Sequence, residues 1–161
     1  EALYQAMRYS LFPKAQNEII KQASPMTAKM ISKKYLLYSR QDWELIKLKV
    51  MRWVIEIKLS QHWEKLAPIL EKTRDKTIVE LSHKDQFWGA KNIGNGQLMG
   101  MNVLGRLWMD IREKHVLTNN KIECVKPLSI AGFRLYDFDI ETICNEHYFL
   151  NEREDQHYVL V

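Results

Sequence analysis

Glu1, Gln5 and Arg8 stand at i, i+4 and i+7, so on a helix they share one face. A carboxylate, an amide and a guanidinium on one stripe can bind a sugar and a phosphate, and the same trio suits a solvated face. Asp85-Gln86-Phe87-Trp88-Gly89 sets an acid three residues before an indole, at the mouth of a glycine-rich stretch. That string brings a charge close to a flat surface on which a nucleobase could stack for about 1–3 kcal/mol. A capping aspartate and a core tryptophan fit it as well. Glu80 lies upstream among Ile78, Val79 and Leu81, where desolvation favours the protonated carboxyl of a general acid. A structural ion pair is its alternative. The five histidines (His62, His83, His115, His147 and His157) show no metal-ligand spacing, so no metal is expected. Cys124 and Cys144 are too few for a disulfide framework, match no nucleophile motif, and fit a reducing cytosol as structural residues.

These residues need elements to hold them. Glu1–Leu11 reads as a helix ending at Phe12-Pro13, and Asn17–Ala23 as a second short one. Ser24-Pro25 opens a third that runs to about Ile31, with serine as N-cap and proline at the first helical position. Asp42 caps the strongest helix, whose Trp43, Ile46, Val50, Val54 and Ile57 form one apolar stripe. Gln61–Lys72 continues as helix, with a kink or break expected near Pro68. Ile78–Leu81 reads as a strand or a buried extended link. Five of the six glycines fall between Gly89 and Gly105, permitting tight turns and close backbone approach to a ligand; a plain flexible loop is the other reading. Gly94-x-Gly96-x-x-x-Gly100 misses the dinucleotide fingerprint by one residue. Val103–Glu113 is a final amphipathic helix, and beyond Lys121 alternating apolar residues suggest extended structure.

With 161 residues, 46% hydrophobic and 27% charged, the chain has the size and texture of one globular domain. No apolar run reaches the ~18 residues of a membrane span, and no signal peptide is evident, so a cytoplasmic protein is expected. Because the chain opens on Glu1 rather than Met, it reads as a fragment of something longer. Charge is uneven: 20 Lys+Arg face 12 Asp+Glu through Asn120, and 4 face 8 from Lys121 onward. A basic body with an acidic tail suggests an anionic partner for the body, such as a nucleotide or nucleic acid; solvated helix faces would show the same excess.

In order along the chain, several pieces resemble the NADAR, or YbiA-like, family: Glu1-Ala2-Leu3-Tyr4-Gln5-Ala6, Ser24-Pro25-Met26-Thr27-Ala28-Lys29, Asp42-Trp43, Val50-Met51, Lys58, Val79-Glu80, Asp85–Gly89, and Asn102–Met109 with Arg112. The likeness covers roughly residues 1–115. It implies a mainly α, single YbiA-like helical domain with a short extended element over 1–118, and a C-terminal extension over 119–161 packed on it. It also implies an N-glycosidase that cleaves a ribose–base C–N bond without a cofactor. Two substrate classes come with the family. One is ADP-ribose on guanine in nucleic acid, with a DarT-type toxin as possible partner. The other is the ribosylamino-pyrimidine phosphates of early riboflavin synthesis. A non-catalytic module binding ADP-ribose or a toxin is the rival from another class.

Such cleavage develops positive charge on the ribose, so Glu1 and Asp85 are the leading catalytic pair and Glu80 the third candidate. Arg8 and Lys29 are expected to clamp phosphate, and Trp88 and Trp43 to stack on the base. Gln5 belongs to the binding face, Asn102 should bond a ribose hydroxyl, and Gly89 should let the backbone come close. Lys29 or Lys58 could instead trap the opened sugar as a Schiff base. The family's Phe-Ser-Asn-Phe-type strand before the first helix is absent, and Arg8 replaces its lysine, keeping charge but giving no amine nucleophile. The longer loop between Trp88 and Asn102, the tail beyond Lys121 and the basic body favour a nucleic-acid-directed member.

Overall fold

The computed structural model describes residues 1–145. His147, His157 and the rest of the C-terminal extension lie outside the described residues. Among the described residues helices carry most of the regular structure, accompanied by three two-stranded antiparallel ladders. Among the described residues no helix is long and apolar enough to cross a membrane. The chain divides into two compact units, residues 1–58 with the segment from Cys124, and residues 59–123.

The first unit begins with α1 (Ala2–Met7), which is shorter than the 1–11 expected. α2 (Pro13–Ile20) starts earlier than expected, because Pro13 takes the first helical position, where its missing N–H costs nothing. α3 (Pro25–Ser32) is capped as read, with the Ser24 side chain accepting from the Thr27 N–H. A 3₁₀ segment, Lys33–Tyr38, follows and was not foreseen. Ala6, Tyr9, Ala15, Ile19 and Ala28 form the core these elements share, each apolar group removed from water contributing about 25 cal/mol per Å².

α4 (Trp43–Gln61) is the long helix. Trp43, Ile46, Val50 and Ile57 are buried as the stripe requires. Val54 is only half-buried, and Trp53 takes the deepest place beside it. The Trp53 indole donates to the Lys126 carbonyl and meets Phe133 edge-on at 5.0 Å. The segment from Cys124 is thereby fastened to this unit. Gln16, fully buried, adds a second fastening: it donates to the Arg134 carbonyl and accepts from the Tyr136 N–H. β4 (Arg134–Leu135) and β5 (Phe138–Asp139) make a tight hairpin whose two turn residues, Tyr136 and Asp137, both have positive φ.

β3 (Cys124–Val125) pairs with β6 (Ile143–Cys144), and directly opposed partners Cys124 and Cys144 are joined by a disulfide. The reading of these cysteines as thiols kept reduced is corrected here. Their separation of 20 residues along the chain gave no hint, because only strand pairing brings them face to face. In chain-entropy terms closing a loop of that size contributes about 3 kcal/mol.

At the start of α4 the Asp42 carboxylate is gripped by Arg40, whose guanidinium donates to both its oxygens at 2.6 and 3.0 Å. That guanidinium holds the carboxyl below the usual range. The interaction therefore stabilises the fold at neutral pH and is lost as pH falls through the lowered value. Because the Asp42 side chain is 42% exposed, solvent screens the pair. Asp42→Asn should lower stability at pH 7 by under about 1 kcal/mol, and thermal melts of variant and parent should converge in acid.

In the second unit, α5 (Trp63–Thr73) carries Pro68 without a break. The break falls instead at His62, whose φ of −125° and ψ of 33° separate α4 from α5. The glycine-rich stretch is not a plain loop. β1 (Lys91–Gly94) and β2 (Gln97–Met99) form a hairpin turned by Asn95-Gly96, both at positive φ, the arrangement Asn-Gly favours. α6 (Val103–Ile111) passes into a π turn at Arg112–Val116.

Candidate active site

In the first unit the three residues of α1 do share a face, and the solvated alternative fails for two of them. Gln5 is 7% exposed. Its side-chain N–H donates to Glu1 Oε1 at 2.9 Å, while its carbonyl accepts from Ser32 Oγ at 2.8 Å. Glu1 itself is exposed at the head of the helix. Its carboxylate is thus open to water on one side and oriented by a buried amide on the other. Arg8, half-buried, donates from Nε to Ser39 Oγ at 2.8 Å and lies over the Trp43 ring at 5.8 Å. That cation–π contact and the serine fix the guanidinium about two turns beyond the carboxylate.

Trp43 cannot be the stacking platform expected of it. It is 4% exposed, covered by Tyr4 at 5.1 Å and by Arg8, so it presents no face to a base; it supports Arg8 instead. Lys29 and Lys58 are both exposed, and neither sits in the desolvated setting that an amine nucleophile uses.

In the second unit Asp85 is half-buried and organises a turn. Its Oδ1 accepts the N–H groups of Phe87 and Trp88 at 3.2 and 3.0 Å, and its own N–H is held by Ser82 Oγ. Asp85 therefore caps a turn rather than a helix, and the same bonds tie its carboxylate to the backbone of the half-buried Trp88. Phe87 meets Trp88 edge-on at 5.0 Å.

Glu80 is exposed, as is Leu81 at 69%. The apolar burial that would have made Glu80 a general acid is absent, because its neighbours Ile78 and Val79 are only half-buried and its segment is extended at the surface. Asn102 uses its side chain on that segment, accepting from the Glu80 N–H at 3.0 Å and donating to the Ile78 carbonyl at 2.8 Å. It holds residues 78–80 against the start of α6, a positioning role that the motif reading did not contain. Gly89 allows close backbone approach, but to the protein: a Cβ there would lie 2.4 Å from the Glu80 carbonyl oxygen.

Sequence reasoning missed three residues. Ser32 and Ser39 hold Gln5 and Arg8, and single serines carry no signal until the helices are placed. Arg112, 1% exposed, was noted only as part of a motif. A buried arginine is rare enough to mark a site, but burial was not visible from its neighbours. Among the described residues no cluster of histidine, cysteine, aspartate and glutamate is arranged to hold a metal.

The helix-rich chain thus holds one carboxylate on a buried amide in its first unit and a second on a turn in its second. The chain belongs to the NADAR family, whose domain model matches residues 1–115. It is 36% identical to the N-glycosidase YbiA of Shigella boydii over 114 residues, which cover 71% of this chain and 68% of that protein. A riboflavin biosynthesis protein of Vibrio vulnificus is 32% identical over 153 residues, covering 91% of this chain and 40% of that longer protein. The NMR structure of YbiA from E. coli superimposes with a TM-score of 0.63 and 31% identity, covering 75% of this chain and 68% of YbiA.

Proposed function

We propose that this chain is an N-glycosidase that hydrolyses the C–N bond between a ribose and a nitrogenous base. One observation carries the reading: an exposed carboxylate, Glu1, is held by a buried amide on the helix face that leads, about two turns on, to a fixed guanidinium. Membership of the family and the name N-glycosidase borne by YbiA support it. In the reaction the bonding pair leaves with the base nitrogen and positive charge develops on the ribose. Water adds to the anomeric carbon, its proton passes to Glu1, and Glu1 returns that proton to the departing nitrogen. The Asp85 carboxylate, fixed by two backbone N–H groups, is the second acid of the proposal. Within the first unit Arg8 and Lys29 take phosphate, and Lys58 has no step in this scheme.

For the substrate we favour a ribosylamino-pyrimidine phosphate. The alignment with the Vibrio riboflavin biosynthesis protein covers 91% of this chain and so extends beyond the 1–115 of the family model. A span of that length reaches past the family core into the segment beyond Lys121, which supports a member of the same kind as that relative. ADP-ribosylated guanine in nucleic acid, with a DarT-type toxin as partner, is the second reading. The excess of 20 basic over 12 acidic residues through Asn120 supports it.

One experiment separates the readings. The protein is incubated with the ribosylamino-pyrimidine phosphate and, separately, with guanine-ADP-ribosylated DNA. Released ribose phosphate supports the first substrate and released ADP-ribose the second. Release of neither, with either ligand bound, overturns the enzyme in favour of a binding module.

A further inference from the structure

We propose that Ser32 and Gln5 form a positioning relay that accommodates Glu1 in both its ionised and its protonated form. The inference rests on Glu1 serving as the acid–base of the reaction above, and adds to it a residue that touches no substrate.

The relay is buried at every point except its working end. Gln5 and Ser32 are 7% and 3% exposed. The fully buried Tyr9 donates its hydroxyl to the Ser32 carbonyl, and burial pushes that phenol up, keeping it a donor. Ser32 Oγ lies 2.8 Å from Gln5 Oε1 and 2.9 Å from the Lys29 carbonyl oxygen. A hydroxyl has a single proton, so in this orientation of the Gln5 amide two acceptors compete for it.

Turning the Gln5 amide over removes the competition. Gln5 Nε2 then donates to Ser32 Oγ, Ser32 gives its proton to the Lys29 carbonyl, and Gln5 Oε1 faces Glu1. In that arrangement Glu1 must itself carry a proton to donate. One orientation therefore complements the carboxylate and the other the carboxylic acid, with no heavy atom displaced beyond the exchange of amide N and O. An acid–base group that takes a proton from water and hands it to a leaving nitrogen passes through both forms in every turnover. An apolar neighbour would serve neither, and a lysine would serve only the ionised one.

The test is a double-mutant cycle read in kcat and KM on whichever of the two substrates above is turned over, using single-turnover conditions for slow variants. Ser32→Ala should lower kcat roughly 10-fold with KM little changed, since a coupling of this size is ordinary for groups in one network. Ser32→Thr should restore most of the rate. In a Glu1→Gln background, where no proton is exchanged, Ser32→Ala should cost nothing further. Should the alanine variant not fold, Ser32→Cys, close in size and a weak donor, takes its place. Equal losses in both backgrounds, or wild-type kcat in a folded Ser32 variant, would overturn the relay and leave Glu1 as the acid–base. Wild-type kcat in Glu1→Gln, or turnover of neither substrate, would overturn the reading beneath it and the relay with it.

Discussion

Glu1→Gln and Asp85→Asn are each expected to lower turnover at least ~10²-fold while leaving the fold intact. Both substitutions remove a charge and a proton acceptor but keep a side-chain carbonyl oxygen. At position 1 that oxygen still accepts from Gln5, which donates to Glu1 Oε1 in the parent. At position 85 it still accepts from the Phe87 and Trp88 N–H groups, so the turn that carries Trp88 survives. What is lost is confined to chemistry: a fixed negative charge at position 85, and proton exchange with water at position 1. A loss in kcat with unchanged KM marks a group that acts in the transition state alone. Circular dichroism and melting temperatures matching the parent would establish that the fold persists. Wild-type rates in both folded variants would reject the assignment. Glu80→Gln is the internal control. An exposed side chain that was expected to be buried should be replaceable with little effect.

The contrast between these residues shows what the sequence could and could not say. The i, i+4 spacing of Glu1 and Gln5 was legible because a helix enforces it, and the structure adds that one of the pair is buried and the other open. Asp85 and Trp88 were legible as a local turn for the same reason: three residues separate them, and short-range geometry is set by the chain itself. Ser32 could not be read. It meets Gln5 across 27 residues, and only the packing of α1 on α3 brings them together. Burial failed in both directions. Glu80 looked apolar from its neighbours but lies at the surface, whereas Trp43 looked available but is covered by Tyr4 and Arg8. The glycine-rich stretch shows a third limit. Asn95-Gly96 is a strong hairpin signal, yet the density of glycines around it drew attention to ligand approach, where the structure has a turn between exposed strands. The disulfide belongs with Ser32, since its two halves meet only once β3 and β6 pair.

Arg112→Ala should destabilise the second unit by about 3 kcal/mol, roughly the value of two hydrogen bonds from a charged donor. Arg112 is 1% exposed, and Nη1 donates to both Thr73 Oγ1 and the Lys76 carbonyl at 2.8 Å. Thr73 ends α5 and in turn donates to the Leu70 carbonyl. A positive group there satisfies acceptors beyond the last helical turn and complements the negative end of the helix. The ion pair with Glu113 contributes little by comparison, because Glu113 is 66% exposed; Glu113→Gln should therefore be nearly neutral. Arg112→Lys is the sharper probe. It keeps the charge but replaces a planar fork with a point donor on a flexible stem, so it should recover only part of the loss. Urea unfolding of the three variants, followed by circular dichroism, gives the order: Glu113→Gln near the parent, Arg112→Lys intermediate, Arg112→Ala lowest. Were Arg112→Ala to unfold at the parent's midpoint, the guanidinium would not be what closes α5 onto the segment around Lys76, and its burial would call for a role at the substrate instead.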